Sequence, residues 1–192
     1  MSVAEAWPGA GRPFTVEELD RMPDDGHRYE LLDGSLVVSP RPGLLHQAVA
    51  GELFFVLRLA CPPGLRVIPE PAVQMSPDTE FVPDIAVVDE GQITGAKCLR
   101  PPLLVVEVRS PSTALIDLNR KKHAYERFGV PSYWIMVPDQ TAPELIVFEL
   151  RDGRYAQTAD VTGDAVLRAR RPFAVDITPR ELLGKSQVEP GS

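Results

Sequence analysis

The chain has 192 residues and a formal charge of −7, from 20 Lys and Arg against 27 Asp and Glu. That length fits one domain of roughly 100–200 residues, and 44% hydrophobic with 24% charged residues excludes wholesale disorder and a coiled coil. The acidic balance argues against tight, indiscriminate binding to nucleic acid, which depends on neutralising phosphates, but not against a local basic surface.

Proline, at 20 residues, is about twice the usual frequency of roughly 5% and predicts short strands and loops. Cys61 and Cys98 stand alone, so neither a disulfide framework nor a Cys-based zinc site is expected. Residues 1–11 lack a basic stretch followed by an apolar one, and no run approaches about 18 apolar residues. A soluble, cytoplasmic chain without a membrane partner is expected.

In chain order, residues 1–13 read as a loose arm, 14–184 as a single domain and 185–192 as a tail. Thr15-Val16-Glu17-Glu18 is a capping box, predicting a short helix to about Met22. Tyr29 to Leu32 and Ser35 to Val38 flank Asp33-Gly34, the signature of a hairpin with a two-residue turn. Leu45, Val49, Leu53, Val56 and Leu59 fall at helical spacing, predicting a helix from about Leu44 to Ala60 that Cys61-Pro62-Pro63-Gly64 stops.

Three strands are predicted next: Leu65 to Ile68 continuing to Met75, Ile85 to Val88, and Leu103 to Val108. Ser110-Pro111-Ser112-Thr113 should cap a second long helix ending at Phe128-Gly129. A strand over Tyr133 to Val137 follows, then a meander of Glu144 to Leu150, Arg154 to Thr158 and Ala165 to Arg168. Thr178-Pro179 should open a closing helix. The class is α/β or α+β, with a mixed central sheet flanked by helices.

Leu103-Leu104-Val105-Val106-Glu107-Val108 carries the most information. Four successive apolar residues mark a central strand buried on both faces. Glu107 sits at its C-terminal end, where open sheets place ligands. A carboxylate there needs a cation, a proton or a hydrogen-bond donor; the plain alternative is a Glu turned to solvent. Asp84, just before the apolar run of Val82-Pro83-Asp84-Ile85-Ala86, would lie beside Glu107 if the two strands are antiparallel neighbours. Otherwise it is a turn residue.

Two oxygen ligands without a His or Cys cluster favour Mg²⁺ or Mn²⁺ over zinc. Lys121 and Tyr125, four apart on the second helix, share a face that can reach the same end of the sheet. An ordinary basic helix surface is the competing reading of Arg120-Lys121-Lys122.

Taken together in order, several motifs resemble the Uma2-type restriction-endonuclease-like domains of the PD-(D/E)xK nuclease superfamily. They are Arg28-Tyr29-Glu30-Leu31-Leu32-Asp33-Gly34, His46, Val82-Pro83-Asp84, and Val105-Val106-Glu107-Val108 with Ser110-Pro111-Ser112-Thr113. Asp117, Lys121, Tyr125 and Gly129-Val130-Pro131 complete the set. The resemblance spans roughly residues 14–183. It implies a restriction-endonuclease-like core of order αβββαβ, here with an added N-terminal hairpin and C-terminal meander.

The resemblance further implies a metal-dependent endonuclease acting on DNA. Asp84, Glu107 and the main-chain carbonyl of Val108 would hold Mg²⁺ or Mn²⁺, and Lys121 would assist the attacking water or the transition state. Arg109 occupies the usual position of the nuclease lysine, but an arginine stays protonated and is a poor base. Glu30, His46, Arg109 and Tyr125 would support the site. A nuclease acting on RNA, or a silent binding or assembly module keeping the fold, are the alternatives. A homodimer, the commonest symmetric arrangement, would let two sites address two strands.

Overall fold

The structure, a computed structural model, describes residues 12–109 and 115–184, the side chains of 115–118 excepted. The expected arm up to residue 11, the Ser110 to Thr113 cap and the 185–192 tail lie outside the described residues.

Helix α1 (Val16–Leu19) is closed at its start by Glu18, whose carboxylate accepts the Thr15 N–H at 3.0 Å. It is one turn long and shorter than expected. The chain tightens into i→i−3 bonds at Arg21 and Met22 before Pro23, which disfavours helix in the residue ahead of it. Strands β1 (His27–Leu32) and β2 (Ser35–Pro40) form the expected hairpin. Its turn residues Asp33 and Gly34 have φ of 46° and 76°, the paired positive values of a type I′ turn.

Helix α2 (Leu44–Ala60) has the expected bounds but a different buried seam, Val49, Leu53 and Leu57. Leu59, two residues round from Leu57, comes out on the far side and is 72% exposed. The expected strand Leu65 to Met75 is two strands, β3 (Leu65–Pro69) and β4 (Ala72–Ser76), which join different sheets. The break is Pro69-Glu70-Pro71, with Glu70 at a φ of 46°. Two prolines cannot donate to a ladder.

Then come β5 (Thr79–Phe81), β6 (Ile85–Asp89), β7 (Lys97–Cys98), β8 (Leu104–Val108), α3 (Leu115–Phe128) and β9 (Ser132–Val137). The meander is β10 (Glu144–Arg151) and β11 (Arg154–Thr162), followed by a separate pair, β12 (Leu167–Ala169) and β13 (Val175–Ile177). The expected closing helix is a tighter 3₁₀ turn, Pro179–Leu183.

The central sheet runs β11-β10-β9-β8-β6-β3, and β8–β9 is its one parallel pair. Reading α2, β3, β6, β8, α3, β9 recovers the expected αβββαβ core. Strands β4, β5 and β7 instead join the hairpin as a second sheet, β2-β1-β5-β4-β7.

All five residues of β8 are buried. Because side chains alternate along a strand, Leu104, Val106 and Val108 pack with Val49, Leu53 and Leu57 of α2, while Val105 packs with Ala124 and Tyr125 of α3. Glu107 is out of phase with Val106 and Val108 and falls on the α3 side. The strand order and the pleat together bring a carboxylate to the end of the most buried strand.

Candidate active site

Strands β6 and β8 are antiparallel, with Ile85 opposite Val106. One step further, the same register sets Asp84 across from Glu107. Both are buried, with 4% and 5% of their surface exposed. The condition set by the sequence for their meeting is met.

Asp84 is held from three directions. Its Oδ2 accepts the Val108 N–H at 2.6 Å and lies 3.3 Å from Nε2 of His46, on the first turn of α2. Its Oδ1 lies 3.3 Å from Nη1 of Arg28 on β1. Burial alone would push the Asp84 carboxyl up. His46, the Val108 N–H and Arg28 outweigh it and hold the group below its usual value.

Glu107 accepts from Lys121 Nζ at 3.1 and 3.3 Å and from the Tyr125 hydroxyl at 3.0 Å. Lys121 and Tyr125, one turn apart, therefore reach the site from one face of α3, as expected. Lys121 also donates to Glu30 Oε1 at 2.9 Å, and the same oxygen accepts the Val82 N–H at 2.9 Å. The ammonium sits between two buried carboxylates, against the edge of the apolar cluster, with the Phe81 ring centroid 5.3 Å away.

Burial, reinforced by Asp84 and Glu30, pushes the Glu107 carboxyl up to about 7 despite Lys121. Burial would lower Lys121, but Glu107 and Glu30 together hold it above its ordinary value. Lys121 thus stays an ammonium, because Glu30 faces it even when Glu107 is protonated. Glu107 is the member of the pair whose charge is conditional. Burial also raises the Tyr125 phenol well above its ordinary value, so Tyr125 serves as a hydrogen-bond donor.

Two members of the cluster were not among the expected site residues, although Arg28 opens the Arg28 to Gly34 motif. Arg28 bridges Asp84 and Glu70. It lies two residues before Glu30 on β1, so period-two alternation would have put both on one face. Glu70 sits in a proline-flanked break where no periodicity exists. Among the expected supporting residues, Glu30, His46 and Tyr125 contact the central groups. Arg109 leaves β8 with its N–H on the Met136 carbonyl, and its charge acts on Glu144. The side chain of Asp117 lies outside the described residues.

The donor chemistry suits a hard divalent cation. Arg28 faces four carboxylates, Asp84, Glu30, Glu70 and Glu107. When all are ionised, only Arg28 and Lys121 among the described residues oppose them as permanent cations. The surplus of two negative charges equals one divalent ion. Among the described residues no group of three or more His, Cys, Asp or Glu side chains forms a ready-made cage. Paired carboxylates without a His or Cys set suit an oxygen-preferring divalent ion better than zinc.

The comparison with curated proteins gave no match. Among solved structures, the chain is similar to one described as a putative nuclease belonging to DUF820 from Anabaena variabilis. The TM-score is 0.72 at 20% identity, over 89% of this chain and 98% of that one. The two share a fold, the mixed α+β architecture of restriction-endonuclease-like proteins. The Uma2 family model, described as "Putative restriction endonuclease", matches residues 16–181 of the 192. The chain belongs to the Uma2 family.

Proposed function

We propose that this protein is a metal-dependent endonuclease hydrolysing phosphodiester bonds in DNA. The observation that carries the reading is the pair of buried carboxylates, Asp84 and Glu107, meeting across β6 and β8 with the Lys121 ammonium on Glu107. In this reading Asp84, Glu107 and the Val108 main-chain carbonyl hold Mg²⁺ or Mn²⁺. When bound, such an ion polarises a phosphate and lowers the pKa of a coordinated water.

The chain's own residues do the rest. Val108 N–H and His46 fix the orientation of Asp84, and Tyr125 fixes that of Glu107. Lys121, held as an ammonium, is no proton acceptor. Its contribution is electrostatic: it orients the attacking water or stabilises negative charge developing on the phosphate.

A second reading, a binding or assembly module that keeps the fold, draws support from the saturation of Lys121 between Glu30 and Glu107. A closed buried network of that kind suits a static core. The setting in either reading is the cytoplasm, supported by two unpaired cysteines. Among the described residues no helix is long and apolar enough to cross a membrane. A homodimer belongs to the same proposal, and a monomer by light scattering would remove it.

The test is cleavage of single-stranded, duplex and branched DNA, and of RNA, with Mg²⁺ or Mn²⁺, beside Asp84→Ala. Cleavage of DNA that the variant loses supports the reading. Full activity in the variant, or none in the wild type on any substrate, contradicts it, and RNA cleavage alone moves it to the related nuclease.

A further inference from the structure

We infer that Arg28 is the phosphate ligand of the site, and that it competes with the divalent cation for Asp84 Oδ1. This rests on the metal-dependent nuclease reading and adds a residue and an order of events to it. The two oxygens of Asp84 differ in what they already hold. Oδ2 is occupied by the short Val108 N–H bond and by His46. Oδ1 is the oxygen a cation can take without breaking that bond, and Arg28 Nη1 lies on it at 3.3 Å, a long contact.

The two permanent cations of the site differ in freedom. The Lys121 side chain is 8% exposed and fixed between two buried carboxylates. The Arg28 side chain is 17% exposed, and its second partner, Glu70, stands at the rim with 61% exposed. Solvent at the Glu70 end screens this pair. Arg28 can therefore exchange Glu70 for an external anion, and its planar fork matches two oxygens of a phosphate.

Glu70 is built as the resting post for that side chain. Its N–H donates to the Asp84 carbonyl at 3.1 Å, and its φ of 46° between Pro69 and Pro71 is a strained conformation for a residue with a side chain. With a divalent ion held at Asp84, Arg28 Nη1 would be repelled from Oδ1. The guanidinium then faces the opening with only Glu70 to hold it, and a phosphodiester supplies a better partner.

The experiment compares wild type, Arg28→Met, Arg28→Lys, Glu70→Gln and, as a control for lost charge, Arg41→Met, whose side chain is 72% exposed. Mn²⁺ affinity is measured by calorimetry without nucleic acid, and affinity for a fluorescent duplex by anisotropy in Ca²⁺ at several salt concentrations. Arg28→Met should bind Mn²⁺ more tightly than wild type and DNA on the order of tenfold or more weakly. Its log–log salt slope should fall by about one. Arg28→Lys should recover part of the DNA affinity. Glu70→Gln, a rim substitution that tests the idea even if Arg28→Met does not fold, should bind DNA more tightly.

Parallel loss of both affinities in Arg28→Met, equal changes in Arg41→Met, or unchanged or weaker DNA binding in Glu70→Gln would overturn the assignment. Wild type that binds neither Mn²⁺ nor DNA would instead overturn the nuclease reading on which it stands.

Discussion

Glu107 is the residue whose protonation couples the site to pH. Its carboxyl is raised to about 7 in the folded protein by burial, against roughly 4.3 in an unfolded chain. Between those values the folded state binds more protons than the unfolded one. The stability Glu107 contributes is present below the lower value and lost as pH rises through the upper one. Asp84 runs the other way: its lowered carboxyl contributes stability that is lost as pH falls below the usual carboxylate range. Comparing urea denaturation of wild type and Glu107→Gln across pH 4–8 should show a flatter profile in the variant. A cation held by Glu107, as proposed, would displace its proton, so divalent-ion affinity should rise toward about pH 7 and level off above it, read by calorimetry. Lys121→Met strands Glu30 and Glu107 without their counter-ion and should cost about 3–5 kcal/mol in denaturant unfolding. Loss of cleavage in that variant is informative only beside a measured fold.

At the scale of elements, two hairpin turns provide a matched comparison. Asp33-Gly34 and Asp152-Gly153 have nearly the same backbone, with glycine φ of 76° and 75°. Replacing either glycine by alanine incurs about 1–2 kcal/mol of left-handed strain. At Gly34, however, the new Cβ would stand 2.5 Å from Pro13 Cβ, whereas at Gly153 it meets nothing within 4 Å. Gly34→Ala should therefore lower the denaturation midpoint more than Gly153→Ala. It also disturbs the hairpin whose first strand carries Arg28 and Glu30. Leu53→Ala, at the centre of the α2 seam, should cost about 2–5 kcal/mol. These elements were legible because turn chemistry, helical spacing and four successive apolar residues each report a local cause. The break between β3 and β4 also has a local cause, the two prolines of Pro69-Glu70-Pro71, although they fall inside the expected strand. The short strands β5 and β7 and the outward turn of Leu59 instead depend on pairing and helix rotation set by the whole domain. Local pattern does not encode those.

Across the whole molecule, residues from separate elements converge because the antiparallel β6–β8 register aligns the start of one strand with the end of the next. Asp84 and Glu107 could be proposed from position on their strands and Lys121 and Tyr125 placed near them by the helix face, while the role of Lys121 and the places of Glu30 and His46 came from the family resemblance. Arg28 stood in the matching motif without an assigned role, and its contacts with Asp84 and Glu70 follow from the second sheet placing β1 against the same end. The charge of −7 is unevenly spread: residues 101–135 carry 5 basic and 3 acidic groups, so the segment holding Glu107 and Lys121 has a positive balance. DNA affinity should accordingly be weak, depend on divalent cation and fall steeply with added KCl, measurable by anisotropy. Whether Asp84 and Glu107 form a divalent-cation site is decided by a thermal-shift titration with Mg²⁺ and Mn²⁺. A cation bound only by the folded state raises the midpoint with concentration. The account predicts such a rise in wild type and its loss in both Asp84→Ala and Glu107→Gln. No rise at millimolar metal, or an undiminished one in either variant, would contradict it.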